Sequence, residues 1–141
     1  MTDLTSSVSR VIKATPQRIF EAWLDPAMMT KFMVPRPDMH VREARAEPRV
    51  GGRFHVMMVG DKDYPHEGSY QEITPHSRLV FTWETPWSAP GTTVTITLTP
   101  VAQGTRVDLT QIRFLSEASR DTHALGWTGM LENLETALAG C

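Results

Sequence analysis

The sequence predicts an α+β domain in which a curved antiparallel sheet wraps around one long C-terminal helix. Three observations carry that reading. From Met39 onward, short segments of alternating apolar and polar residues follow one another, separated by glycine- and proline-bearing turns, as antiparallel strands do. After Phe114 the alternation stops, and Ser116 opens a stretch in which Trp127, Met130, Leu131, Leu134 and Leu138 recur at helical spacing. A single long helix after so many strands has only the sheet to cover its apolar stripe. A sheet curled around a helix can enclose a pocket.

The elements follow in order. In Ser7 to Ala14, Val8, Arg10 and Ile12 alternate with Ser9, Val11 and Lys13, which reads as an edge strand. Thr15-Pro16 starts a helix, with Thr15 as N-cap and proline in the first turn. Ile19, Phe20, Trp23 and Leu24 form its apolar face. Asp25-Pro26 repeats the start signal, and Met28, Met29, Phe32 and Met33 follow at helical spacing. Pro35 and Pro37 stop that second helix. Met39 to Glu47 is a polar, edge-like strand, and Gly51-Gly52 a turn. Arg53 to Val59 turns Phe54, Val56 and Met58 to one face. Gly60 to Asp63 is a polar turn, His66 to Ile73 the next strand, and Thr74 to Ser77 another turn. Leu79, Phe81 and Trp83 alternate with Val80, Thr82 and Glu84 in a half-buried strand. Pro86 to Gly91 is a loop. Val94, Ile96 and Leu98 then oppose a ladder of Thr93, Thr95, Thr97 and Thr99, and after Gln103-Gly104 the final strand carries Val107 and Leu109.

The chain has 141 residues, 40% hydrophobic and 21% charged, which suits one domain over 1–141. A net charge of −2 leaves no electrostatic footprint for nucleic acid. No apolar run approaches the ~20 residues of a membrane span, and Met1 to Thr5 does not resemble a signal peptide. A cytoplasmic location is expected, as monomer or homodimer. The one cysteine, Cys141, is a poor nucleophile candidate at the chain end. Eight methionines and four tryptophans fit either a loosely specified core or a pocket wall tolerant of ligand shape.

Parity singles out one polar residue. Thr105, Val107, Leu109 and Gln111 share a face, and Val107 and Leu109 must face the core, so Gln111 points inward. A buried amide without partners costs ~1–3 kcal/mol, so Gln111 is either satisfied by a neighbour or serves as the polar anchor of a pocket. In the last helix, Gly126 and Gly129 each cost ~1 kcal/mol relative to alanine. They permit close packing beside Trp127 or leave room for a ligand. His123 falls one turn before Trp127 on the same stripe.

Catalytic signatures do not stand out. There is no phosphate-binding loop and no nucleophile elbow. His40, His55, His66, His76 and His123 lack metal-ligand spacing. His66 and Glu67 are strand neighbours and face opposite ways. Glu72 and Glu84 read as solvated strand residues. No catalytic residue, metal or cofactor is expected.

Several segments together resemble one family. Phe20-Glu21-Ala22-Trp23-Leu24-Asp25-Pro26 looks like its first helix pair, and Arg49-Val50-Gly51-Gly52-Arg53-Phe54 like its glycine turn. Gly68 to Pro75 with Arg78 to Trp83 resembles its central hairpin. Gly104-Thr105-Arg106-Val107 is similar to its last strand start, and Gly126-Trp127 with Leu131 and Leu134 to its closing helix. The family is that of the homologues of the activator of the ninety-kilodalton heat-shock protein ATPase, within the START/polyketide-cyclase superfamily of helix-grip fold. The resemblance implies a curved sheet gripping the C-terminal helix, two short helices between the first two strands, and a cavity between sheet and helix. It leaves activity open, since superfamily members bind lipids, hormones and polyketides and some are cyclases. Chaperone activation by family members belongs to a larger two-domain setting, and a second domain is not expected here. Two departures stand out. Lys31-Phe32-Met33-Val34-Pro35 replaces an aromatic pair followed by Gly-Pro, making the rim more aliphatic, and Gln111 stands where histidine is common.

A small apolar or amphipathic ligand in the cavity is the function expected. A cyclase- or hydrolase-type enzyme and a chaperone-interaction domain are the alternatives. The expected lining is Trp23, Met28, Phe32, Phe54, Met58, Tyr70, Phe81, Trp83, Gln111, His123, Trp127 and Met130.

Overall fold

The computed structural model describes residues 4–88 and 91–139. Cys141, Met1 to Asp3, and Ala89 and Pro90 of the Pro86–Gly91 loop lie outside the described residues. The elements run β1 (Thr5–Ile12), α1 (Pro16–Leu24), α2 (Pro26–Phe32), β2 (His40–Ala46), β3 (Arg53–Val59), β4 (Asp63–Thr74), β5 (Arg78–Thr82), β6 (Thr93–Val101), β7 (Gly104–Ile112) and α3 (Glu117–Ala139). The strands form one antiparallel sheet in the order β1-β7-β6-β5-β4-β3-β2, with β1 and β2 at its edges. The fold is the expected α+β arrangement, with two short helices between the first two strands and a long helix last.

The helix starts follow the sequence signals. The Arg18 amide donates to Thr15 Oγ1 at 3.2 Å and the Ala27 amide to Asp25 Oδ1 at 2.9 Å. Ser116 Oγ accepts from the Ser119 amide at 3.0 Å. Each side chain satisfies a donor that the first helical turn leaves unpaired.

Strand parity sets the core. Phe54, Val56 and Met58 of β3, Val94, Ile96 and Leu98 of β6, and Thr105, Val107, Leu109 and Gln111 of β7 are all buried. Thr93, Thr95, Thr97 and Thr99 are half-buried on the opposite face. Two strands depart from simple alternation. Register shifts between Tyr70 and Glu72 in β4 and between Val41 and Glu43 in β2 each insert a residue and reverse parity. Tyr70 and Ile73 therefore both reach the core, as do Val41 and Ala44. β5 is more buried than its alternation predicts. Val80 is 9% exposed on the outer face, flanked in register by Glu72 and Thr95.

Phe54, Phe81, Trp83 and Trp127 meet on the concave face. Ring centroids lie 5.3 Å apart for Phe54–Phe81, 6.0 Å for Phe54–Trp83 and 4.9 Å for Trp83–Trp127. Trp23 of α1 joins them through Phe81 and Trp127. The buried stripe of α3 is Trp127, Met130, Leu131, Leu134 and Leu138, and the helix packs along β1 and α2.

The two helix glycines face a neighbour other than the sheet. A Cβ on Gly126 would lie 3.3 Å from Pro35 Cβ, and one on Gly129 3.3 Å from the Pro35 carbonyl oxygen. One turn on, Asn133 Nδ2 donates to the Val34 carbonyl at 3.0 Å. The α2–β2 connection thus runs against the bare backbone of α3.

Candidate functional site

A pocket of about 530 Å³ opens beside the N-terminal half of α3. Sheet strands supply one wall, with Met58 at the end of β3, Tyr64 and His66 at the start of β4, Trp83 just after β5 and Gln111 near the end of β7. Helix α3 supplies the facing wall through His123, Gly126, Trp127 and Met130, and the α2–β2 connection closes a side with Pro35, Arg36 and Met39. Met58, Trp83, Trp127 and Met130 are 1–4% exposed and make the interior apolar. At the mouth, Trp87, Leu115 and Leu125 are 51%, 68% and 77% exposed.

Gln111 is buried to 1% exposure, and its Oε1 accepts the indole N–H of Trp127 at 2.6 Å. This bond fixes one orientation of the amide and ties the last strand to the helix. Both partners line the pocket.

His66 stacks at 4.8 Å from the Trp83 ring, and its Nδ1 lies 2.8 Å from the Tyr64 carbonyl oxygen. A carbonyl only accepts, so Nδ1 carries the proton. Burial pushes the imidazole down to about 4, against the opposing pull of the Tyr64 carbonyl, with smaller repulsion from His123 and His55. The ring is neutral at pH 7, so Nε2 is an acceptor. His123 is tethered in the same way, Nδ1 to the Ser119 carbonyl at 2.8 Å, with its ring 5.2 Å from Phe114.

At the rim, Tyr64 Oη donates to Asp61 Oδ1 at 2.7 Å. That bond holds the Asp61 carboxyl below its ordinary range and raises the Tyr64 phenol. Lys62 Nζ sits 5.5 Å from the Tyr64 ring and 5.2 Å from the Trp87 ring, a cation over two aromatic faces.

Six of the residues expected in the lining are brought together there: Met58, Trp83, Gln111, His123, Trp127 and Met130. Trp23, Phe32, Phe54, Tyr70 and Phe81 lie behind the wall in the aromatic core, and Met28 packs half-buried against that core. Burial raises the Tyr70 phenol well above its ordinary range, so it stays protonated. The pocket also holds Tyr64, His66, Trp87 and three cations that sequence reasoning did not place there. A signal for two of them existed, because Tyr64, His66, Gly68 and Tyr70 share one parity. Glu72 and Glu84, read as solvated strand residues, stand outside the lining. Glu84 is exposed, holds Arg53 at 3.2 Å, and lies below the ordinary carboxylate range because Thr82 Oγ1 donates to it. Glu72 pairs with Arg78 at 3.2 Å. Among the described residues, no cluster of three histidine, cysteine, aspartate or glutamate side chains could hold a metal ion.

An antiparallel sheet curled around a C-terminal helix, with a pocket at the helix flank, places the protein among the START-like helix-grip domains. The chain belongs to the family described as Activator of Hsp90 ATPase homolog 1-like protein, whose model matches residues 13–139. Solved structures agree in fold. A protein of Chromobacterium violaceum is 25% identical at a TM-score of 0.80, covering 94% of this chain and 95% of its own. An AHSA1-like protein of Aeromonas hydrophila is 24% identical at 0.83, covering 97% and 93%. A Rhodobacter sphaeroides protein is 23% identical at 0.83, covering 99% and 94%. No curated protein matches the chain in sequence. No helix among the described residues is long and apolar enough to cross a membrane.

Proposed function

We propose that the protein binds a small apolar or amphipathic molecule in the pocket between sheet and α3. The supporting observation is an apolar interior of ligand size, about 530 Å³, into which only a few polar groups converge, the usual make-up of a small-molecule site. Met58, Trp83, Trp127 and Met130 would contact the apolar body, and Gln111 and His123 would orient its polar atoms. Trp23, Met28, Phe32, Phe54, Tyr70 and Phe81 would hold that wall rigid from behind.

The exposed apolar residues favour this reading over a chaperone-contact face. Trp87, Leu115 and Leu125 belong to the pocket mouth, whereas Val11 and Val50 stand singly elsewhere. The enzyme reading has one observation of its own, the neutral acceptor Nε2 of His66. A base at about 4 is weak at neutral pH, and no carboxylate in the lining backs it. His66 is better suited to receiving a hydrogen bond than to removing a proton.

Titration with the neutral fluorophore phenylnaphthylamine tests the reading. Saturable binding of one molecule per chain is expected, and Ser119→Trp, which fills the lining from α3, should abolish it. Absence of saturable binding, or unchanged binding in the Ser119→Trp variant, overturns the assignment. Mass spectrometry of molecules co-purifying with the protein would then give the ligand itself.

A further inference from the structure

We propose that the ligand is an organic anion held with its charged group at the pocket mouth and its apolar body inward. The inference rests on the pocket reading above and adds the chemical class and the orientation. Among the described residues that line the pocket, Arg36, Lys62 and Arg113 are cationic and none is a carboxylate, although the chain carries a net charge of −2. The three cations are exposed and come from separate parts of the chain, the α2–β2 connection, the β3–β4 turn and the segment after β7. Asp61 and Asp38, chain neighbours of Lys62 and Arg36, lie outside the lining and are engaged. Asp61 accepts the Tyr64 hydroxyl at 2.7 Å, and Asp38 sits 3.5 Å from Arg36.

The interior offers an anion only neutral partners and no charge to balance it. The apolar wall of Met58, Trp83, Trp127 and Met130 would desolvate it. His66, with Nδ1–H committed to the Tyr64 carbonyl, presents only an acceptor, and Gln111, whose Oε1 takes the Trp127 N–H, has only its neutral amide NH2 left to donate, a weaker partner for an anion than a cation. An anion therefore gains at the rim and loses in the interior, so the charge stays outermost. Lys62 above the Tyr64 and Trp87 rings puts a positive charge beside aromatic faces, which suits a carboxylate, sulfonate or phosphate carried on an apolar body. A volume of about 530 Å³ suits a single drug-sized molecule.

The test compares two fluorophores on one scaffold, phenylnaphthylamine and its sulfonated analogue, anilinonaphthalene sulfonate. The sulfonate should bind about tenfold more tightly, the combined effect of several partly screened cation contacts. That preference should shrink as salt rises. In the double variant Arg36→Gln/Lys62→Gln it should fall to about twofold, while the neutral probe, which reports an intact pocket, still binds saturably at one molecule per chain. Equal or weaker binding of the sulfonate, or a preference unmoved by the double variant, overturns the anion assignment and leaves the pocket reading standing. Failure of both probes overturns the pocket reading and the anion assignment with it. Phosphatidylglycerol vesicles added to the bound sulfonate should not displace it. Displacement would assign the cations to a membrane headgroup and overturn the proposal.

Discussion

The indole N–H of Trp127 donates to Gln111 Oε1 across 2.6 Å, and both residues are buried. This one bond joins the final strand to the final helix at the pocket wall. Removing either partner strands a polar atom in apolar surroundings. Gln111→Leu is therefore expected to destabilise the fold by about 1–3 kcal/mol. A double-mutant cycle with Trp127→Phe, followed by chemical denaturation, should give a coupling of at least about 0.5 kcal/mol. Additive losses would show that the bond contributes nothing.

Trp83 touches Phe54, Phe81, His66 and Trp127 at once. Trp83→Ala should cost about 3–5 kcal/mol as a large core deletion. A loss under about 1 kcal/mol in a urea titration would place the ring outside the core.

Burial that lowers His66 to about 4 makes stability depend on pH. The unfolded chain takes up this proton near 6.5 and the folded one only near 4. Between those values the unfolded state holds more protons, so stability rises with pH and levels off above 6.5. The swing should be on the order of 3 kcal/mol. Asp61 and Glu84, whose folded values are depressed, lose their contributions at more acid pH. His66→Gln should flatten the window between pH 4 and 6.5. Midpoints measured across that window in both proteins decide the matter, and parallel profiles would mean that His66 is not the titrating group.

Thr95 and Thr97 lie on the face turned from the core, half-buried. Thr95→Lys and Thr97→Glu should leave the monomer folded, with losses below about 1 kcal/mol. Circular dichroism and sedimentation of each variant would check this, and an unfolded monomer would mean that the sheet faces are exchanged.

Gly68 offers a sharper case. A Cβ there would overlap the Thr82 carbonyl oxygen and press on the Phe54 ring at 2.6 Å. Backbone cannot yield as a flexible side chain can, so Gly68→Ala should cost on the order of 3 kcal/mol. A thermal midpoint unchanged by the substitution would rule out the close approach of β4 to the β5 end.

The elements were legible because their signals were local. Thr15, Asp25 and Ser116 are caps, and Phe54, Val56 and Met58 alternate without interruption. Gln111 was placed by parity alone, since β7 has no bulge between Thr105 and Gln111. The lining was less legible. Inward parity says that Phe54 and Phe81 face the concave side, but not whether a helix or a void lies opposite. Here α1 brings Trp23 onto Phe81 and fills that end. Tyr64 and His66 are not legible as lining because Pro65 cuts the apparent strand short at His66, yet Pro65 sits in register opposite Met57 and the strand continues back to Asp63. Trp87 and Arg36 lie in connections with no periodicity to read.

The contact between Pro35 and the bare backbone at Gly126 and Gly129 makes the α2–β2 connection a fixed bearing for α3. Pro35 is also pocket wall, so the surface that seats the helix is the surface that closes the pocket. A side chain added at Gly126 would therefore press on both at once, and helix seating and pocket shape cannot be altered independently at that point.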